Sequence, residues 1–442
     1  MIHEIRDPIH GFIKLDSDER RVLDSRPLQR LRHIHQLALT YFIYPGATHT
    51  RFEHSLGVME VASRIYDVVT ARNNLQACRR AADIFGSDFD LEYWRRVLRM
   101  AALCHDIGHL PFSHAAEKEL LPQGWDHEKI TIDFIQSDEM QAIWKDIRID
   151  AERVAKIAVG PKKYKKDVNN TFTDIELILS QIITGNALGA DRIDYLLRDS
   201  WHAGVAYGKF DHIRLIDCMR ILPRKNDPND ETPAFGITHG GLYCAEALYL
   251  ARYFMFMQIY YHPIRRIYDI HLREFIKELY PKGFPTNLAE FLLINDHEIW
   301  NQIFKQSFND LNNKINIFAN ILAQRKHFKL LYEPLPDDID NESIESNENL
   351  TNKIYNNICE KIGNDNVRID TVPFKSGEDN DFNFPVYYSK NKKSISSHSL
   401  LFRLFAKKKF TAPEQLKINR VFVDRDKIDN ARKLIETNNN HI

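Results

Sequence analysis

Between Leu103 and His114 the chain reads Leu-Cys-His-Asp-Ile-Gly-His-Leu-Pro-Phe-Ser-His, three histidines and one carboxylate in a dozen residues. Apolar residues fill the gaps, and burying such polar groups is costly unless something pairs with them. His105 and the adjacent Asp106 offer one neutral nitrogen and one anionic oxygen to a single divalent ion from the polar end of a buried helix. Two more ligands must come from elsewhere. His54, after Arg51-Phe52-Glu53, supplies nitrogen, and Asp191, in an otherwise apolar helical pattern, supplies oxygen. Such a His2Asp2 set leaves positions open for water and substrate. It suits Mn, Fe, Ni, Co or Zn, with Mg less suited. The competing reading makes each histidine a core residue satisfied by a backbone carbonyl; it serves any one of them but not the set.

An ion held this way acidifies its water and polarises a phosphoryl oxygen. The neighbouring groups suit a phosphate ester. His109 falls four residues after His105, on the same face of a helix, and His114 falls three residues before Glu117, where a helix would make them a hydrogen-bonded acid/base pair. Arg51, Arg192 and Arg252 are fixed cations able to neutralise a polyphosphate, with a structural ion pair as the alternative for each. From residue chemistry alone the function reached is metal-assisted phosphoester hydrolysis.

The elements that must position these groups are helical. Apolar residues Leu56, Met59, Ala62, Ile65, Tyr66 and Val69 recur at helical spacing after His54. A second amphipathic helix, from about Glu92 to Cys104, delivers His105. Further helical patterns run over Asp126 to Val159, Ile175 to Leu197 and Leu242 to Ile276. Asp337 to Asn349 is acidic and Asn/Ser-rich, as a mobile linker is. Short β-type runs follow at Val367 to Phe374, Phe384 to Tyr388 and Val421 to Val423, then a helix near Ile428 to Glu436. The expected fold is mainly α, with a large helical domain over 1–331, a linker or insertion over 332–366 and a small α+β lobe over 367–442.

The 60 Lys+Arg against 61 Asp+Glu in 442 residues give no global field toward nucleic acid or membranes, so any anion site is built locally. The basic loop Pro161 to Lys166 reads as a solvated connector rather than a nucleic-acid patch. Five widely spaced cysteines without a CxxC pair, no leader-like apolar run and no uninterrupted apolar span point to a reduced, cytoplasmic protein without a membrane partner.

Arg51-Phe-Glu-His54-Ser-Leu-Gly, His105-Asp-Ile-Gly-His109-x-Pro-Phe-Ser-His114, His127-Glu128 and Asp191-Arg-x-Asp-Tyr195 occur in that order. With them the chain resembles the HD-domain phosphohydrolases, and specifically the catalytic core of the SAM-and-HD-domain deoxynucleoside triphosphate triphosphohydrolases and their bacterial relatives, from Asp7 to about Lys329 and weakly again over Phe410 to Ala431. The resemblance implies that His54, His105, Asp106 and Asp191 hold the metal. It implies that Arg51, His109, His127, Arg192 and Arg252 contact phosphates, and that His114 with Glu117 moves the proton. Glu117 and Arg192 stand where the family commonly has Asp and Lys. Gln36, Leu37, Tyr195, Asp199 and Tyr260 match positions around the sugar, where a tight wall at C2′ rejects an extra hydroxyl. The implied reaction is attack at the α-phosphorus of a dNTP, releasing deoxynucleoside and triphosphate.

The resemblance also implies regulation. Asp24, Gln29 and Arg32 match a guanine-reading pocket for GTP or dGTP, which Arg325 and Lys329 meet from another subunit of a homo-oligomer, expected as a tetramer. Asp211, Arg214 and His262 resemble part of an adjoining nucleotide site. His3, Arg6, Cys244 and Pro263 depart from the pattern, and without the family match Asp24, Gln29 and Arg32 read as a surface ion-pair cluster. The alternatives to a dNTP hydrolase are an HD phosphohydrolase on another nucleotide or phosphoester, and a nucleotide-sensing or single-stranded nucleic-acid-binding module with a vestigial site.

Overall fold

The computed structural model describes residues 2–85, 88–113, 117–164, 171–185, 188–223, 233–334, 344–373, 384–388, 393–396 and 417–439. The fold is mainly α with small sheets, as expected. It divides into two compact units: Met1–Met257 with Lys282–Ile299 and Asp379–Arg403, and Gln258–Pro281 with Trp300–Glu378 and Leu404–Ile442. This division does not follow the boundaries expected at 331 and 366.

The first unit is built around the helix Arg51–Val69. Both its flanks are covered, by the helices Asp88–Cys104 and Ala190–Ala203, and most of its residues are buried, including polar Arg51, His54, Ser55 and Ser63. It is therefore a central helix rather than the amphipathic one expected, and its polar residues need partners inside the protein. Gly57 shows how closely it is packed: a Cβ there would overlap the side chains of Asp194 and Arg198. Ala151–Val159 packs against both Asp88–Cys104 and Asp174–Thr184. The antiparallel hairpin His3–Asp7/Gly11–Leu15 turns through Asp7 to Gly11, and Gly11 takes the positive φ of 80° that favours glycine.

Several expected helices are interrupted. Asp126 to Val159 is three helices, His127–Ile135, Asp138–Ile147 and Ala151–Val159. Ile175 to Leu197 splits into Asp174–Thr184 and Ala190–Ala203 around Gly185 and Gly189, which puts Asp191 in the first turn of a helix instead of its interior. Leu242 to Ile276 is a helix Leu242–Met255, a π-helical turn Phe256–Tyr260 and a helix Pro263–Leu279. Pro263 has no N–H to give a continuing helix, and starts the next one at its first position.

In the second unit Lys417–Val423 is the central strand of an antiparallel sheet between Lys329–Tyr332 and Val367–Pro373. Its residues alternate faces: Val421 and Val423 pack with Ile358, Cys359, Val367 and Ala431, and Phe422 packs with Ile267, Ile270, Ile321 and Phe328. The helix Ile344–Ile362 runs through most of the stretch expected to be a linker. The strand Pro385–Tyr388, expected in the C-terminal lobe, belongs to the first unit, where it pairs in parallel with Pro233–Thr238. Among the described residues no helix is long and apolar enough to cross a membrane.

Candidate active site

Three helices converge on the His/Asp cluster. Arg51–Val69 brings His54 from its first turn, Asp88–Cys104 ends one residue before His105, and Ala190–Ala203 carries Asp191. His54 Nε2 lies 3.1 Å from Asp191 Oδ1 and 3.9 Å from Asp106 Oδ2. His105 Nε2 lies 3.4 Å from Asp106 Oδ1 and 3.8 Å from Asp191 Oδ1. His105 Nδ1–H donates to the Ala102 carbonyl at 2.8 Å, which leaves the Nε2 lone pair facing the carboxylates. That Nε2 is buried and has no hydrogen-bond partner among the described residues. An orphaned imidazole nitrogen beside two carboxylates is what a divalent ion needs, so the donor set fits a metal.

The electrostatics agree. Burial alone would raise the Asp106 carboxyl, but His105, His109 and Arg51 bring it well below the ordinary range. Asp191 is likewise lowered, against the desolvation of its carboxylate, by the imidazoles of His105 and His54 beside it. His54 is raised to about 10: burial opposes its charge, yet Asp191 and Asp194 on its two nitrogens override that. A field that holds a proton there also attracts a cation. Asp191, expected as a buried ligand, has a side chain 39% exposed.

Next to the cluster His109 and His127 stack at 4.0 Å and 18°. Gly108 makes this possible, since a Cβ there would overlap the backbone of the His127–Ile135 helix. His109 is not on the helical face expected for it, because Asp88–Cys104 stops short and residues 105–108 form a turn. It nevertheless lies 3.3 Å from Asp106 Oδ1. Burial, Arg51 and His127 push its pKa well down, so it is neutral. His127 is raised instead, with Glu117 and Glu128 overcoming its burial. The surroundings thus favour the neutral form of one stacked ring and the charged form of the other.

Glu117 Oε1 accepts the His127 backbone N–H at 2.8 Å and lies 2.6 Å from its Nδ1. The expected partner, His114, lies outside the described residues, so Glu117 is seen orienting His127. Phe112 and Ser113 just before it have φ of 54° and 60°, left-handed values that no helix continues through. Asp296 fixes this turn by accepting from Phe112 N–H at 2.8 Å and from His35 N–H at 2.8 Å.

Arg51 is buried, donates to Ser113 Oγ at 2.9 Å and pairs with Asp106. Arg252 is buried with its guanidinium 4.7 Å from the Phe256 ring, and Arg192 is half-buried next to Asp191. Of the sugar-pocket positions, Gln36 N–H donates to the His49 carbonyl, Leu37 is buried, Tyr195 is half-buried, and Asp199 Oδ1 lies 2.7 Å from His49 Nε2. His49 therefore links two segments expected to share a pocket, a role the sequence reading missed. Tyr260, His262, Arg325 and Lys329 lie in the second unit, where His262 caps the Pro263–Leu279 helix.

Asp24, Gln29 and Arg32 are partnered within the chain. Asp24 pairs with Arg20 at 2.7 Å, Gln29 Nε2 donates to Leu23 O, and Arg32 donates to Gln29 Oε1 with its guanidinium 3.5 Å from the Phe52 ring. Asp211 caps the short helix His212–Asp217 by accepting from Arg214 N–H at 3.0 Å. Lys163 of the basic loop pairs with Asp126 and Glu128, consistent with a connector. The sequence reading also missed Asp194 and Arg198. Asp194 sits inside a motif otherwise assigned, and its spacing to Arg198 is that of a helical i,i+4 ion pair.

Residues 51–159 match the HD domain family, and residues 210–434, half of the chain, match the family described as the HD associated region. The chain belongs to the HD-domain phosphohydrolases. The His-Asp cluster is one that could hold the metal ion on which this family depends. An uncharacterised protein of Methanocaldococcus jannaschii is 33% identical over 72% of this chain and 59% of its own length. The deoxynucleoside triphosphate triphosphohydrolase of Homo sapiens is 30% identical over 50% of this chain, which spans 37% of that protein. The solved structure of a hypothetical protein from Aquifex aeolicus superposes with a TM-score of 0.76 at 31% identity, covering 98% of this chain and all of that one.

Proposed function

We propose that this HD phosphohydrolase is a dNTP triphosphohydrolase that releases deoxynucleoside and inorganic triphosphate. The observation that carries the reading is the adjacency of His54, His105 and Asp106, with Asp191 3.1 Å from His54, to the stacked His109 and His127. The match to named dNTP triphosphohydrolases supports the substrate class. A bound ion supplies Lewis-acid charge and an acidified water for attack at the α-phosphorus.

The chain's own residues do the rest. Arg51, Arg192 and Arg252 neutralise the phosphates and His109 and His127 orient them, while Glu117 favours the charged form of His127. His114 is the proposed proton donor to the leaving 5′-oxygen. Gln36, Leu37, Tyr195 and Asp199 of the first unit line the sugar site, and His49 holds Asp199 in place. By the same resemblance the protein is a cytoplasmic tetramer that binds GTP or dGTP at Asp24, Gln29 and Arg32, which Arg325 and Lys329 meet from another subunit, with Asp211 and Arg214 at the adjoining site.

The test incubates the protein with each dNTP and Mn2+ and identifies the phosphorus products. Triphosphate in equal amount to deoxynucleoside is expected. Diphosphate or monophosphate as the first product, or hydrolysis only of other phosphoesters, would overturn the assignment.

A further inference from the structure

Behind the metal centre lies a second, fully buried layer of charge. Asp194 has no exposed side-chain surface and accepts on both oxygens. Oδ2 faces His54 Nδ1 at 2.8 Å and Arg198 Nε at 2.9 Å; Oδ1 faces His10 Nε2 at 2.6 Å and Arg198 Nη2 at 3.0 Å. Arg198, equally buried, donates in turn to Asp7 Oδ2 at 2.8 Å. Asp7 Oδ1 accepts the backbone N–H groups of Ile9 and His10, which closes the hairpin turn.

We propose that Asp194, oriented by Arg198, Asp7 and His10, is the positioning residue that makes His54 a metal ligand. Three features exclude a ligand role for Asp194 itself and give it this one. Its oxygens are already engaged. It meets His54 at Nδ1, whereas Asp106 and Asp191 lie on the Nε2 side. A carboxylate at Nδ1 fixes the proton there, turns the Nε2 lone pair toward Asp191 and Asp106, and strengthens its donation to a cation. Gly57 belongs to the same device, since any side chain one turn after His54 would displace Asp194 and Arg198.

The inference rests on the metal centre and not on the choice of nucleotide. Chelated protein is titrated with Mn2+ alone, bound metal is measured by equilibrium dialysis, and melting is followed in parallel. Wild type supplies the baseline, and failure of wild type to bind would sink the metal reading rather than this one. Asp194→Asn is expected to weaken Mn2+ binding about 10- to 100-fold, the usual effect of losing a partner behind a ligand. Asp194→Asn also leaves Arg198 without its carboxylate. The variant Asp7→Asn/Arg198→Gln/Asp194→Asn removes all three buried charges together, and the same weakening is expected of it. Asp67→Asn, an exposed ion-pair residue on the helix that carries His54, serves as the control with unchanged affinity. Wild-type affinity in either folded Asp194 variant, with only the melting temperature lowered, would reduce the layer to a structural role and overturn the proposal.

Discussion

The floor and the mouth of the metal centre solve opposite problems with similar residues. At the floor His54, Asp194, Arg198 and Asp7 are sealed from water, and the two Asp194 oxygens and the Arg198 guanidinium are all committed to partners. At the mouth His127, Glu117 and Glu128 are half-buried, and Glu128 is shared with the surface residue Lys163. The floor fixes geometry, because in a low dielectric an unpaired charge is expensive and the network has one satisfied arrangement. The mouth keeps a proton in play, because its partly solvated partners can gain or lose charge without unfolding anything.

Breaking the floor should have the largest effect. Arg198→Ala leaves Asp194 and Asp7 buried without their cation, for which a loss of about 3–5 kcal/mol is expected. Thermal melting should show a transition many degrees lower in Arg198→Ala. A melting temperature close to wild type would mean that the floor is hydrated and the contrast with the mouth is false.

At the mouth the effect is on pH dependence rather than stability. The folded-state pKa of His127 is raised above its ordinary 6.5, so its cation and its pairing with Glu117 are fully present below 6.5 and lost as pH rises through the raised value. The alkaline limb of kcat/KM is therefore expected to report His127. In Glu117→Gln the limb should move to lower pH, with activity at the alkaline end down on the order of 10²-fold and little change in melting temperature. An unmoved limb would assign the titration to another group.

The same contrast explains what could be read from the chain. His105-Asp106 and the motifs around His54 and Asp191 were legible because adjacent imidazole and carboxylate among apolar residues have few other uses. Asp194 was not, because its partner His10, and the Asp7 that holds Arg198, lie more than 180 residues away in the chain and give no local signal. Glu117 was given His114 as partner; His114 lies outside the described residues, and the partner seen on Glu117 is His127, ten residues on, which no local spacing announces. The mainly helical character followed from periodicity, but the two units did not, since Pro385–Tyr388 joins a strand about 150 residues earlier in sequence, a long-range pairing that carries no local signal.

The central claim is that His54, His105, Asp106 and Asp191 together hold one divalent ion. It is tested most directly by metal analysis of protein purified without chelators, beside Asp191→Ala prepared identically. The account predicts close to one transition-metal ion per wild-type chain and a marked loss in Asp191→Ala, with the fold intact by circular dichroism. Equal metal content in the two proteins would contradict it.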